Sequence, residues 1–210
     1  MKAGSAMPGP RTTFVSAERL PGWVERFEAA QGTLAVQPGD DGLLLRAESG
    51  AQAELLAPWP ADGRPGRGAD DVERLASLAG QARTVGLVLV RRGGYAVGAA
   101  REGRLLASKT GSPNSRRANA ADALTALAAE QAAAVFTAAA PEYLVLGGDR
   151  MLAEQVAARR EFSCWSALPR LRPLDVPDPK AAVLAQAARD ASSVLVRIIL
   201  PQPGAAANLH

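Results

Sequence analysis

The chain has 210 residues, of which 48% are hydrophobic and only 4% aromatic, so alanine, leucine and valine must fill a core in one large or two small domains. Its net charge is +3, and only three of its 24 basic residues are lysine, namely Lys2, Lys109 and Lys180. The single cysteine, Cys164, excludes internal disulfides, and the only histidine, His210, is the last residue, which argues against histidine-dependent hydrolases and zinc sites.

The hydropathy pattern gives no sign of a membrane protein. No apolar run reaches the ~18 residues of a membrane span, and the opening stretch MKAGSAMPGP lacks the apolar segment of a signal peptide. We therefore expect a cytoplasmic protein with no membrane partner. Residues 1–11 are predicted to be a disordered lead, and residues 201–210 a loose tail.

Residues 12–57 are predicted to form a small α+β unit. TTFV, at 12–15, is typical of an edge strand, and Leu20, Val24 and Phe27 lie on one face of a helix. GTLAV, GLLLRAE and AQAELLA are separated by the turn-rich segments QPGDDG and SG, which indicates a meander of antiparallel strands. The proline- and glycine-rich stretch that follows, at 58–69, is predicted to be a linker.

Residues 70–200 are predicted to form a second domain. Asp70 or Asp71 caps a helix that ends near Gln81. Three strands should follow, joined by tight turns in which glycine supplies a positive φ. These strands are placed at 84–91, 94–101 and 104–109, with turns at Gly93 and Gly94 and at Glu102 and Gly103.

The rest of this domain is predicted to alternate between helix and strand. A helix at 117–138, with a stripe of Leu124, Leu127, Gln131 and Val135, is followed by a strand in EYLVLGGDR. Next come a helix at 150–160 that Asp149 caps and a strand at 172–176. The last elements are a helix from Asp178 and Pro179 to Asp190 and a strand at 192–200. Three antiparallel strands followed by strand–helix repeats predict an α+β or α/β domain with a ribonuclease-H-like mixed sheet.

A ribonuclease-H-like sheet raises the possibility of a nuclease, which needs clustered carboxylates to hold two Mg²⁺ ions. The first strand, TVGLVLVRR, contains no acidic residue and ends in two arginines. Glu102, Asp122 and Asp149 have turn or capping positions instead. We therefore expect no metal or other cofactor, and a nuclease is the least favoured of three alternatives.

Glycine-rich segments and basic pairs were compared as anion sites. Gly93, Gly94 and Gly98 lie between strands rather than before a helix, so a phosphate loop is not expected there. In VLGGDR, Asp149 should cap the following helix and leave the turn structural. Arg159 and Arg160 end a helix, where positive charge is favourable without any function.

The remaining basic residues point to one polar loop. Arg91 and Arg92 end the first strand and Lys109 ends the third, and we expect them at opposite ends of the sheet. The loop that enters the long helix is predicted to contact RNA phosphates or to be simply solvated. Its candidate RNA-binding residues are Lys109, Ser112, Asn114, Arg116, Arg117 and Asn119. Cys164, beside Phe162 and Trp165, is predicted to be a small core residue.

An ordered set of motifs resembles a known family. The segments are VLVRRGGYAVG, LLASKTGS, RRANAA, GGDR, LDVPDPK and VLVRI. Together they resemble the actinobacterial peptidyl-tRNA hydrolases related to Vms-type release factors, which are similar to the middle domain of eukaryotic and archaeal class 1 peptide release factors. The likeness runs from about residue 12 to residue 200.

The resemblance implies ester hydrolysis of peptidyl-tRNA on stalled ribosomes, so the ribosome and peptidyl-tRNA are the expected partners. In the family, a long loop with glycines and a glutamine enters the active centre of the ribosome and helps to position water. Here the whole interval between Ser112 and Arg116 is Pro113, Asn114 and Ser115. The catalytic loop expected between Ser112 and Arg116 is therefore missing, and the catalytic residues stay unknown.

Two other segments bring glycine next to glutamine, but their predicted positions do not suit a catalytic loop. Ala79, Gly80 and Gln81 fall at a predicted helix end, and Gly50, Ala51 and Gln52 in a predicted hairpin. Three hypotheses remain: a release-factor-like protein of the peptidyl-tRNA hydrolase family, a non-catalytic RNA- or ribosome-binding relative, and a ribonuclease-H-like nuclease.

Overall fold

The computed structural model describes residues 11–112 and 120–201. These residues form two compact units, which are 11–80 with 193–201, and 81–112 with 120–192. The strands are β1 (Arg11–Val15), β2 (Leu34–Gly39), β3 (Gly42–Ala47), β4 (Gln52–Leu56), β5 (Thr84–Arg91), β6 (Gly94–Arg101), β7 (Arg104–Gly111), β8 (Tyr143–Gly148) and β9 (Val194–Ile199). The α-helices are α1 (Leu20–Gln31), α2 (Asp71–Ala79), α3 (Ala120–Ala139), α4 (Arg150–Ala157) and α5 (Ala181–Ala191).

The first unit is an antiparallel sheet in the order β1-β9-β4-β3-β2, with α1 and α2 packed on its core. The predicted meander of β2, β3 and β4 is confirmed, as is the helix that buries Leu20, Val24 and Phe27. The predicted cap of α2 is also present, because the Asp70 side chain accepts a hydrogen bond from the Glu73 amide, but this helix belongs to the first unit and not, as predicted, to the second. The meander, α1 and the cap of α2 are each predicted from residues that lie close together in the sequence.

Strand β9 lies in a different sheet from the one predicted. It was assigned to the second domain, whereas it pairs with β1 and β4 in the first unit. Val194 and Val196 are fully buried in the core of that unit. The apolar sequence correctly predicts a buried strand, but nothing in it specifies which sheet the strand joins, because pairing partners are set by non-local contacts.

The second unit is built on a four-stranded mixed sheet in the order β7-β6-β5-β8. Strand β6 is antiparallel to both β5 and β7, and β8 is parallel to β5. The predicted mixed α+β architecture is confirmed, while the ribonuclease-H-like assignment stays a prediction. Glu102 and Gly103 have positive φ values of 52° and 72° as expected, but Gly93 and Gly94 do not.

Helix α3 packs through its alanine face rather than through the predicted leucine stripe. Leu124 and Val135 are buried, but Leu127 is 38% exposed. Ala128, Ala129 and Ala132 are fully buried together with Phe136. The small alanine side chains let the helix approach the sheet closely, so the alanine face packs on the sheet although its side chains are smaller than leucine.

Three further predictions about the second unit need correction. The strand at 172–176 is absent, and only isolated bridges join Leu144 to Arg170 and Gly147 to Leu174. Helix α5 begins at Ala181 after Lys180, so Asp178 is not its cap. Helix α4 ends at Ala157 instead of near residue 160 because a short 3₁₀ turn follows.

Close packing in this core predicts a measurable coupling between Gly86 and Phe136. A Cβ added at Gly86 would lie 2.5 Å from Phe136 Cζ. That ring cannot withdraw freely, because Phe162 and Trp165 lie edge-on at centroid distances of 5.6 and 6.1 Å. Gly86→Ala should therefore lower the free energy of unfolding of this unit by about 1–3 kcal/mol.

The same substitution should cost much less in a Phe136→Leu background, where the ring is gone. Amide hydrogen exchange of β5 in urea, measured on all four proteins of the double-mutant cycle, checks this coupling. An equal cost in both backgrounds would contradict the packing argument.

Candidate functional site

One end of the second sheet collects the carboxyl ends of three strands. Because β5 and β7 are both antiparallel to β6, they run in the same direction, and β8 runs with β5. The ends of all three strands therefore meet at one edge, where open α/β sheets commonly bind ligands. We call this region the carboxyl edge and define it as residues 91–94, 109–112 and 147–150.

This arrangement overturns the prediction that Arg91 and Arg92 lie at the opposite end of the sheet from Lys109. Arg91 pairs with Gly94 across one hairpin, and Tyr95 pairs with Gly111 on the other side of β6. The error was in the strand directions: with two tight turns in succession, the first and third strands must run in parallel. The two short turn segments in the sequence are therefore enough to predict that β5 and β7 run in the same direction.

Close backbone contact brings the end of β7 against the turn between β5 and β6. A Cβ at Gly94 would lie 2.6 Å from the carbonyl oxygen of Gly111 and 3.6 Å from Ser112 Cα. Any side chain at this position would push the two segments apart, so glycine is required here for close approach. Ser112 consequently lies beside the turn that carries Arg92.

Arg91 is occupied by structural contacts. Its Nε donates to the carbonyl oxygen of Val176 at 2.6 Å, and a terminal nitrogen lies 2.9 Å from the Asp175 carboxylate. The Asp175 side chain is 94% exposed, so water weakens this ion pair. Arg91 thus holds the segment that leads into α5 against the end of β5.

Three other cations of the carboxyl edge are exposed and make no hydrogen bond or ion pair with the described residues. They are Arg92 in the turn after β5, Lys109 near the end of β7, and Arg150 at the start of α4. Of the predicted site residues, Lys109 and Ser112 lie here, both exposed. Asn114, Arg116, Arg117 and Asn119 fall outside the described residues.

The turn between β8 and α4 is held by backbone hydrogen bonds and a side-chain cap. Asp149 Oδ1 accepts from the amides of Met151 and Leu152 at 3.0 and 3.2 Å, and its own amide donates to the Val90 carbonyl at 2.7 Å. Gly148 has a φ of 86°, and a Cβ there would lie 2.3 Å from the Val90 oxygen. The predicted structural role of Asp149 is confirmed.

A cleft of about 540 Å³ opens beside this turn, between the end of β8, α4 and residues 170–175. Its walls are largely apolar, with Leu146 and Leu174 among them. At its rim, one Arg170 nitrogen lies 2.7 Å from both carboxylate oxygens of Glu154. Two arginines, Arg150 and Arg170, line the cleft. Because Arg170 is paired with Glu154, Arg150 is the one that makes no ion pair with the described residues.

The residues weighed for other chemistry have structural partners. The Gln81 side chain accepts from Arg83 at 3.0 and 2.7 Å, and Ala51 is fully buried. Asp122 receives the Arg159 guanidinium, which also donates to the Thr125 hydroxyl at 2.7 Å. Glu102 lies in the β6–β7 turn, at the end of the sheet away from the carboxyl edge.

Within 11–112 and 120–201, no three His, Cys, Asp or Glu side chains are grouped so as to hold a metal ion. No helix there is long and apolar enough to cross a membrane. Cys164 is exposed, so its prediction as a core residue was wrong: Phe162 is buried and Trp165 packs against it, but Cys164 between them is not covered.

Comparison with known proteins adds a family. Residues 114–197 match the family described as Actinobacteria/chloroflexi VLRF1 release factor, and no curated protein matches the chain. The matched range contains Arg116, Arg117 and the β8–α4 turn and begins after Lys109 and Ser112. The match supports a release-factor-like family of the Vms/VLRF1 type, and such a family implies an interaction with the ribosome.

The capping role of Asp149 predicts a difference between two of its substitutions. Asp149→Ala removes the acceptor for two amides and should destabilise α4 by about 0.5–2 kcal/mol. Asp149→Asn retains an acceptor of the same length and should stay close to the wild-type value. Urea unfolding combined with hydrogen exchange of the α4 amides checks this. Equal losses in both variants would mean that the carboxylate charge, not the cap, matters.

Tyr95, which covers Gly111 at the end of β7, predicts a pH effect. Burial, and secondarily the charge of Glu130, raise the pKa of the Tyr95 phenol above its ordinary value of 10.0. Because the pKa of Tyr95 is higher in the folded than in the unfolded protein, the neutral phenol stabilises the folded state fully at pH values below the unfolded pKa. This stabilisation is lost as pH rises through the folded pKa.

Ultraviolet titration of the phenolate, taken as the difference between wild type and Tyr95→Phe, should show Tyr95 ionising above pH 10.0. Glu130→Gln should move the midpoint downward. A wild-type midpoint at or below the ordinary value would contradict the burial of this hydroxyl.

Proposed function

We propose that the chain is a release-factor-like protein that acts at ribosomes stalled with peptidyl-tRNA. The observation that carries this proposal is the match of residues 114–197 to a release-factor family. The motifs VLVRRGGYAVG and LLASKTGS add support, because they lie before the matched range. A ribosomal target also implies a cytoplasmic site of action.

The carboxyl edge offers the chemistry that contact with RNA requires. Lys109 and Ser112 are exposed at the end of β7, and the chain continues from there to Arg116 and Arg117. Arginine and lysine bind phosphate oxygens, and hydroxyl groups can add hydrogen bonds to the same backbone. We propose that Lys109, Ser112, Asn114, Arg116, Arg117 and Asn119 contact the RNA backbone.

The hydrolytic step of the resembling family depends on a glycine- and glutamine-bearing loop. In this chain the interval between Ser112 and Arg116 has neither residue type. Without glycine, the backbone cannot approach an ester closely, and without glutamine, the side chain that helps to position water is missing. We therefore propose that the chain as given binds stalled ribosomes without hydrolysing peptidyl-tRNA through this segment.

Hydrolysis of the peptidyl-tRNA ester is the second candidate, and the family match favours it. It would require catalytic groups outside the interval between Ser112 and Arg116. A ribonuclease-H-like nuclease has less support, since Asp122 and Asp149 are engaged by Arg159 and by helix amides respectively.

Ribosome binding and peptide release can be measured on the same sample. We expect co-sedimentation with ribosomes carrying peptidyl-tRNA, weakening steeply as salt rises because phosphate contacts release counterions. Arg116→Ala with Arg117→Ala should reduce binding, and the slope of log K against log salt should fall by about 1.4–1.8. Arg101→Ala with Arg104→Ala, exposed at the opposite end of the sheet, is the charge-matched control.

Failure of the wild-type protein to co-sediment at low salt would refute the proposed function. Efficient peptide release by the wild-type chain would refute the non-catalytic version and establish the second candidate. Mg²⁺-dependent RNA cleavage that EDTA abolishes would instead establish the nuclease. Unchanged binding of the Arg116 and Arg117 double variant would show that the RNA contact lies outside the predicted loop.

A further inference from the structure

We infer that Arg92 and Arg150 extend the RNA contact across the carboxyl edge, so that a phosphate backbone runs along the edge from β7 to β8. This inference rests on the proposed function and adds residues that the sequence pattern excluded. Its basis is the strand register, which brings Arg92 and Arg150 to the same end of the sheet as Lys109.

The dimensions of the edge suit a nucleic acid strand. Three strand spacings separate β7 from β8 in the order β7-β6-β5-β8, which amounts to about 14 Å. In double-stranded DNA each strand carries one phosphate per about 3.4 Å of helix axis, so a nucleic acid backbone presents several phosphates over such a distance. Lys109, Arg92 and Arg150 are carried on or next to β7, β5 and β8 respectively. The register places Arg150 level with Arg92 and Lys109 level with Val88, so the three cations form an oblique row across this end of the sheet.

The contacts of each arginine decide which cations belong to this row. Arg91 is tied to Val176 and Asp175, and Arg170 is bonded to both oxygens of Glu154. Arg92 and Arg150 are exposed and have no such partner among residues 11–112 and 120–201. Their guanidinium donors are available for bidentate contacts to phosphate.

The acidic groups near the edge do not cancel these charges. Asp149 accepts two helix amides, Asp175 pairs with Arg91, and Glu154 pairs with Arg170. Asp178 is exposed beside the Arg92 turn, where its Oδ1 would lie 3.9 Å from a Cβ at Gly93, and this one carboxylate is outnumbered by Arg92, Lys109 and Arg150. The exposed charge without an ion pair at the three strand ends is therefore positive, which favours an anionic partner.

RNA fits this row better than an acidic protein surface does. The cations are spread along a line at the edge of a rigid sheet rather than gathered round a pocket, which matches a regularly spaced backbone charge. Arg150 also lies within the range that matches the release-factor family. An acidic ribosomal protein is the competing partner, and the test below separates the two.

The experiment measures ribosome co-sedimentation as a function of salt for Arg92→Ala with Arg150→Ala. Loss of two phosphate contacts should reduce the slope of log K against log salt by about 1.4–1.8, and at about 0.1 M salt the affinity should fall roughly 25- to 60-fold. Arg92→Lys with Arg150→Lys keeps both charges and should retain most of the slope. The control Arg101→Ala with Arg104→Ala should match wild type.

A photocrosslinking residue placed at position 92 identifies the partner on the same ribosomes. Crosslinks to ribosomal RNA or tRNA are expected, whereas crosslinks to protein alone would overturn the inference. It would also be overturned if the wild-type protein bound ribosomes while the Arg92 and Arg150 double variant behaved like the control. If the wild-type protein does not bind at all, the proposed function itself has failed.

Discussion

The antiparallel pairing of β6 with both of its neighbours determines which strand ends meet in the second unit. It makes β5 and β7 run in the same direction, so their carboxyl ends share an edge with that of β8. Small residues permit this pairing. A Cβ at Gly98 would lie only 3.0 Å from Leu184 and 3.1 Å from the Ala107 oxygen, so α5 and β7 both approach β6 closely. With few aromatic residues available, alanine and glycine produce the tight core.

The elements that sequence reasoning predicted well are those specified by neighbouring residues. The two hairpins of β5, β6 and β7 follow from short turn segments, and the caps at Asp70 and Asp149 follow from a side chain placed beside helix amides. Each of these features is specified by a few consecutive residues, and an unsuitable residue there destabilises that turn or helix. For that reason the sequence predicted most strands and helices of both units within a few residues.

The failures concern features that depend on distant contacts. The apolar composition of β9 does not reveal its partners, and the leucine stripe of α3 gave no indication that Leu127 would stay exposed while alanines pack. Cys164 beside Phe162 and Trp165 was predicted to be buried, but both rings pack on the core while Cys164 between them is exposed. Of the candidate site, the sequence predicted Lys109 and Ser112, and it missed Arg92 only because the strand directions were wrongly assigned.

Arg91 and Arg92 show why side-chain type alone does not define a binding surface. They are identical and adjacent, yet Arg91 fixes the segment at Val176 while Arg92 is exposed in the turn. In the proposed function, binding depends on cations at the ends of rigid strands, whereas hydrolysis depends on a loop inserted between β7 and α3. Because Arg92 and Lys109 are positioned by the sheet, their place at this end of it does not depend on the segment between β7 and α3. In the proposed function, ribosome binding and peptide release are therefore separable.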